Sequence, residues 1–151
     1  MPKSPRTELD FSLSVSAEVA NLAVIRRFVE EGATSLRADR RAIDDMLQAV
    51  EEAVANIIFH GYHGRPGDIE IEMGQEQNAL VVRLRDKAFP FDPTQLPPPD
   101  LTSPLETRRF GGLGVHLIRQ FTDQITYRVT PEGDNELTLR KNVNWTSQED
   151  K

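Results

Sequence analysis

The chain contains no cysteine, which excludes disulfides, thiolate zinc sites and a cysteine nucleophile. Aromatic residues are few: seven Phe, two Tyr and one Trp in 151 residues. No apolar run approaches the ~20 residues that a bilayer-spanning helix needs. Met1 to Asp10 holds two prolines and mixed charge without an apolar stretch, so no signal peptide is read there and a cytoplasmic protein without a membrane partner is expected. An excess of positive charge is also missing. Eighteen Lys and Arg stand against 24 Asp and Glu, for a net charge of −6, and such a field does not favour a nucleic-acid partner. The chain is 38% apolar and 28% charged. Its apolar residues recur in periodic runs, as in a folded domain rather than a disordered one. The length suits one domain that buries roughly two thirds of its unfolded surface.

Leu9, Phe11, Leu13 and Val15 alternate with Glu8, Asp10, Ser12 and Ser14, which predicts a half-buried strand from Thr7 to Val15. Ser16 then reads as an N-cap, with Glu18 in the first turn. Leu22, Ile25 and Val29 recur at helical spacing, and Gly32 is the expected stop. A longer helix is predicted from about Ala38 to His60, with Ile43, Met46, Leu47, Val50, Val54 and Ile57 as its apolar stripe. Two strands follow, Asp68 to Met73 and Leu80 to Leu84, joined by a polar turn over Gly74 to Asn78. Residues 86–112 show no period and hold six prolines. A segment that long within a compact domain is usually functional or disordered. A third helix is predicted from Leu113 to Phe121. Gln124 to Thr130 and Glu136 to Lys141 then form a hairpin about the Pro131–Asn135 turn. The tail from Asn144 is polar and reads as frayed. This order suits α/β architecture, with helices on one face of a mixed, mostly antiparallel sheet.

Three short stretches carry chemistry. Glu52 and Asn56 lie one helical turn apart, about 40° from each other around the axis. They are either solvent-face residues or a carboxylate base beside an amide whose oxygen suits Mg²⁺. Asp86 leaves an apolar strand in Asp86-Lys-Ala-Phe-Pro-Phe-Asp92-Pro93. It is either a turn former or a carboxylate placed to accept from an exocyclic amine. Gly111-Gly-Leu-Gly114 opens a helix, where backbone N–H groups and the helix dipole favour an anion. Arg108, Arg109 and Arg119 against Glu106 leave Ser103 to Arg119 at +2 within a chain of −6. The stretch matches neither a P-loop nor a dinucleotide fingerprint. A glycine-rich turn is its plainer reading.

Together the three stretches resemble the nucleotide-binding boxes of the GHKL ATPase superfamily, most closely its small anti-sigma-factor serine kinase branch. Glu52-Ala-Val-Ala-Asn56-Ile-Ile-Phe-His60-Gly-Tyr62 resembles the N box. Asp86 through Pro93, with Ala88 and Phe91, resembles the G1 box. Gly111-Gly112-Leu113-Gly114-Val115 through Ile118, with Asp123, resembles the G2 box. Leu137-Thr138-Leu139 is similar to the strand that sets a threonine against adenine.

The resemblance implies a two-layer α/β sandwich of the Bergerat type over residues 7–142, with a flexible segment 1–6 before it, a tail 143–151 after it and an ATP lid over about 92–110. It implies ATP and Mg²⁺ as cofactors. Glu52 would be the general base and Asn56 the Mg²⁺ ligand, with His60 in the same box. Asp86 would bind the adenine amino group, supported by Thr138 and flanked by Ala88 and Phe91. Gly111, Gly112, Leu113, Gly114 and Val115 would cradle phosphates, with Arg108 or Arg109. The partners implied are an anti-anti-sigma protein of the STAS type as substrate, a sigma factor, and a second copy in a homodimer. The G1 box usually reads Asp-x-Gly. Ala88 stands in place of that glycine, adding a methyl and disfavouring positive φ, so looser seating of adenine is expected. That departure and the short proline-rich lid also suit a nucleotide-dependent binding module without efficient kinase activity.

Other candidates read as structural. His60 and His63 lack the further ligands that zinc needs. His116 belongs to the third helix or the lid edge. Trp145 docks either on the body or on a partner.

Overall fold

The computed structural model describes residues 9–90, 92, 94 and 112–145, and only the backbone of 112–114. Strand β1 (Phe11–Ser16) leads through a 3-10 turn (Val19–Asn21) into helices α1 (Leu22–Ser35) and α2 (Arg40–Asn56). Strands β2 (Asp68–Glu76) and β3 (Ala79–Asp86) follow, then helix α3 (Gly112–Phe121) and strands β4 (Gln124–Val129) and β5 (Asn135–Asn142). The five strands lie in the order β1-β2-β3-β5-β4. All four pairings among them are antiparallel. The sequence suggested a mixed sheet. The crossover through α3 carries β4 past β5, so β4, which runs in the same direction as β3, never pairs with it.

Period-2 alternation sorts the sheet into two faces. Ile69, Ile71, Met73, Leu80, Val82, Leu84, Leu137 and Leu139 form the inner face and pack with Ile25, Val29, Met46, Leu47, Val50 and Val54 of the helices. The outer face holds a charged lattice. Arg85 pairs with Glu72 at 2.7 Å, Glu136 at 3.2 Å and Glu70 at 3.3 Å, while Arg128 reaches Glu136 at 2.7 Å.

Two glycines expected to end elements lie inside them. Gly32 is buried within α1, because a Cβ there would come 2.5 Å from Met73 Sδ and 3.2 Å from Phe11 Cδ2. Its missing side chain serves helix–sheet packing rather than a C-cap. Gly74 lies within β2, where a Cβ would meet Asp10 Oδ2 at 2.5 Å. The β2–β3 hairpin instead turns at Gln77, whose φ is +54°. Helix α2 starts one residue after Asp39, whose Oδ2 accepts the Ala42 N–H at 3.3 Å. The other oxygen of the same carboxylate accepts the Asn144 N–H at 3.2 Å. Beside it Trp145 bridges to Ala38. The folded body therefore continues through Trp145, past the expected boundary at 142, and Trp145 docks on the body.

Candidate functional site

Helix α2 does not continue to His60 in α form. At Ile57 it passes into a π-helical turn (Ile57–Gly61), closed by the Tyr62 N–H donating to the Ile57 carbonyl at 2.8 Å. Such turns are uncommon and often accompany functional sites. The wider winding breaks the i, i+4 relation between Asn56 and His60. Gly61, five residues beyond Asn56, lines the cleft described below, whereas His60 lies on a neighbouring depression with His63 and Lys87. Burial and the adjacent His63 push the His60 imidazole below its ordinary pKa.

A cleft opens between the end of α2, helix α3 and the ends of β3, β4 and β5. Its apolar lining includes Ala53, Ile57, Ile118 and Leu137, and its polar lining includes Asn56, Asp86, Tyr127 and Asn135. Phe89 stands at the cleft and is 83% exposed.

Asp86 ends β3 on the inner face, in register with Asn135 of β5. Its Oδ1 accepts two hydrogen bonds, from the Ala88 N–H and from Asn135 Nδ2, both at 2.9 Å. Oδ2 accepts none among the described residues and remains the free acceptor of a residue that lines the cleft. Burial raises the Asp86 carboxyl above the usual range, while its two donors pull the other way. Tyr62 fixes the approach to this corner. Its hydroxyl accepts the Lys87 N–H and donates to the Asp68 carbonyl, each at 2.8 Å.

Ala88 fits without strain. Among the described residues the non-glycine positions with positive φ are Arg37, His63 and Gln77, so Ala88 needs no left-handed backbone. Its methyl is accommodated by Gly61, where a Cβ would stand 3.0 Å from Ala88 Cβ. The methyl is thus matched by a missing one across the cleft wall.

Asn56 is the second polar focus. Its Nδ2 is buried and has no hydrogen-bond partner among the described residues, a costly state for a donor shielded from water. Glu52 lies one turn earlier in α2 and is half-buried. The neighbouring Glu51 is drawn off to Arg26 of α1 at 2.6 Å. No group of three His, Asp or Glu side chains suited to a metal occurs among the described residues. A divalent cation here would have to bring ligands of its own, as Mg²⁺ does when it arrives with phosphates and water. The unpartnered Nδ2 of Asn56 is a donor and suits a phosphate oxygen, while the amide oxygen beside it suits the cation.

Thr138 does not join this site. It is in register with Arg83 of β3 and Thr126 of β4, on the outer, charged face. Leu137 and Leu139 beside it point inward, so alternation forces Thr138 outward. The residue that supports Asp86 from β5 is Asn135, which the sequence reading missed. Of the glycine-rich stretch, Gly112, Leu113 and Gly114 open α3, and Val115 behind them is buried. Phe91, Arg108, Arg109 and Gly111 lie outside the described residues, as does the 92–110 segment except Asp92 and Thr94. At that edge Arg119 of α3 donates to the Thr94 carbonyl at 2.5 Å.

An apolar slot ending in a buried carboxylate acceptor suits a flat heterocycle that carries an amino donor. The glycine-opened helix and the amide of Asn56 suit anionic groups attached to it. Residues 15–141 match the model of the histidine kinase-like ATPase domain. The chain belongs to that family. It is 31% identical over 117 residues to the serine-protein kinase RsbW of Bacillus thuringiensis (strain Al Hakam), a match covering 75% of this chain and 73% of that protein. It is 30% identical over 128 residues to the serine/threonine-protein kinase BtrW of Bordetella bronchiseptica, covering 84% of this chain and 88% of that one. The fold is shared with part of the crystal structure of the RsbU and RsbW domains of Rv1364c from Mycobacterium tuberculosis, with TM-score 0.58 and 14% identity over 90% of this chain. This chain spans about a third of that longer protein, 33% of its length. No helix among the described residues is long and apolar enough to cross a membrane.

Proposed function

We propose that this protein is a cytoplasmic anti-sigma-factor serine/threonine-protein kinase. It binds Mg-ATP in the cleft between α2 and the strand ends and transfers the γ-phosphoryl group to a Ser or Thr of an anti-anti-sigma protein of the STAS type. In a partner switch, as one half of a homodimer, it also sequesters a sigma factor. The observation that carries this reading is the pairing of two unfilled polar groups in one apolar cleft: the spare Oδ2 of Asp86 and the unpartnered amide of Asn56. The names of the relatives support the kinase assignment.

In this reading Asp86 accepts from the adenine amino group. Asn135 and the Ala88 N–H hold its other oxygen. Asn56 would hold Mg²⁺ through its amide oxygen, and the cation, when bound, would supply charge neutralisation. Backbone N–H groups at the Gly112 end of α3 hold phosphate oxygens, with Arg108 or Arg109 as added positive charge. Glu52, a turn before Asn56, takes the proton of the attacking hydroxyl. Phosphoryl transfer depends chiefly on positioning and charge stabilisation, so one carboxylate and an anion cradle suffice.

The test is transfer from γ-labelled ATP to the cognate STAS partner. Wild-type protein labels the partner, and Glu52→Ala does so at least about a hundredfold more slowly. Equal labelling by the two removes Glu52 as base. Binding of ATP with no labelled partner moves the protein to a nucleotide-dependent docking module.

A further inference from the structure

We infer that Tyr127 is a positioning residue for nucleobase recognition, acting through Asn135 to hold Asp86 as an oriented acceptor. The inference rests on the nucleotide reading above and extends it to a residue on a different strand.

The argument starts from an ambiguity in Asn135. A side-chain amide presents similar shapes either way round, with a donor at one end and an acceptor at the other. Here the surroundings choose. Asn135 Nδ2 lies 2.9 Å from the Ala88 carbonyl and 2.9 Å from Asp86 Oδ1. The Ala88 carbonyl can only accept, so this end must be the NH₂ group. Both of its protons are then committed. Asn135 Oδ1 is left facing the Tyr127 hydroxyl at 2.5 Å, and that hydroxyl must be the donor.

Each member of the chain Tyr127–Asn135–Asp86 thus fixes the next. Tyr127 stands on β4 in register with Leu137, on the inner face and at the cleft wall. Asn135 is buried at the start of β5. Removing the hydroxyl leaves Asn135 Oδ1 a buried acceptor without a donor, which is costly. A full turn of the amide is barred, because it would set Oδ1 against the Ala88 carbonyl and the Asp86 carboxylate, three acceptors together. Held at its NH₂ end alone, the amide pivots to seek a donor for Oδ1, which loosens the bond to Asp86 Oδ1 and with it the orientation that leaves Oδ2 for the base.

The consequence is specific. The Tyr127 hydroxyl contributes to the difference between a purine that carries a 6-amino group and one that does not. A residue that merely stabilised the pocket would weaken both ligands alike.

The test is calorimetric titration of the full chain with Mg-ATP and with the Mg complex of purine riboside triphosphate, which lacks the 6-amino group. Wild-type protein binds ATP at least about tenfold more tightly, the scale of a hydrogen bond to a charged acceptor. Tyr127→Phe lowers that ratio to below about threefold, with its melting temperature read alongside. Should Tyr127→Phe fail to fold, Asn135→Ala carries the same expectation. A variant that binds both ligands more weakly but keeps the wild-type ratio overturns the inference alone. Wild-type protein that binds ATP without preferring it also overturns the inference, while the cleft stands as a nucleotide site. Wild-type protein that binds neither ligand overturns the nucleotide reading and this inference together.

Discussion

Asp86 is held at odds with its surroundings. Its carboxyl is buried and its pKa is raised, chiefly by desolvation. A carboxyl whose folded pKa exceeds its unfolded value makes the ionised form a cost to folding. That cost is absent below the unfolded carboxyl pKa, near 3.9, and is fully present once the pH exceeds the folded value. Asp86→Asn keeps an oxygen for the Ala88 and Asn135 donors and removes the charge. Its melting temperature at pH 7 is therefore expected to equal or exceed that of wild type. The advantage should shrink as the pH falls through the carboxylate range. The same variant replaces an acceptor-only group with one that can donate, so Mg-ATP affinity falls at least about tenfold. Thermal melts across pH and calorimetry check the two halves. A variant less stable than wild type at pH 7, with undiminished ATP affinity, would show that Asp86 is a structural turn former. Such opposition between stability and binding is typical of residues kept for function.

At the level of elements, packing overrides local signals in ways that mutation can read. Gly32→Ala gains helix propensity, worth about 1 kcal/mol. It also forces a methyl to 2.5 Å from Met73 Sδ in a fully buried contact, and overpacking costs about 1–3 kcal/mol. A net loss of about 1 kcal/mol is expected as a lower urea midpoint; a higher midpoint would mean that Met73 moves aside freely. Asp39→Ala removes the cap of α2 and the anchor of Asn144 at once, and about 1–2 kcal/mol is expected from the cap alone. Neither role was legible beforehand. The strand and helix periods were, because apolar alternation at Phe11, Leu13 and Val15 and the stripe from Ile43 to Val54 follow directly from which face must be buried. The glycines at 32 and 74 misled because a small residue kept for a close approach looks the same in sequence as one kept for a turn. The case of Thr138 differs. Leu137 and Leu139 already implied that Thr138 faces away from the helices, and parity from Leu84 already placed Asp86 inward. The alternation held the answer, and only the register that sets Asn135 opposite Asp86 was hidden. The π turn after Asn56 had no signal in composition, so the relation of His60 to the cleft could not be read.

On the scale of the whole molecule, the sheet order separates two tasks. The ends of β3, β4 and β5 supply Asp86, Tyr127 and Asn135 at one wall, while α2 supplies Asn56 at another. Under the proposed function, base reading and phosphate handling would rest on different layers of the sandwich, and damage to one should leave the other's signature intact. Asn56→Ala tests this. The apo-protein loses a buried amide donor without a partner, so its stability is expected to hold or to rise by up to about 1–3 kcal/mol, the cost of such an orphan. Preference for ATP over purine riboside triphosphate should persist, because Asp86 and Asn135 are untouched. What should vanish is the dependence on metal. Wild-type affinity for ATP falls when EDTA replaces Mg²⁺, whereas Asn56→Ala binds with the weaker affinity in both conditions. Titrations of both proteins with ATP and with the analogue, each with Mg²⁺ and with EDTA, separate these terms. If Asn56→Ala keeps the full Mg²⁺ effect, the cation is held elsewhere and α2 contributes shape to the cleft but no ligand.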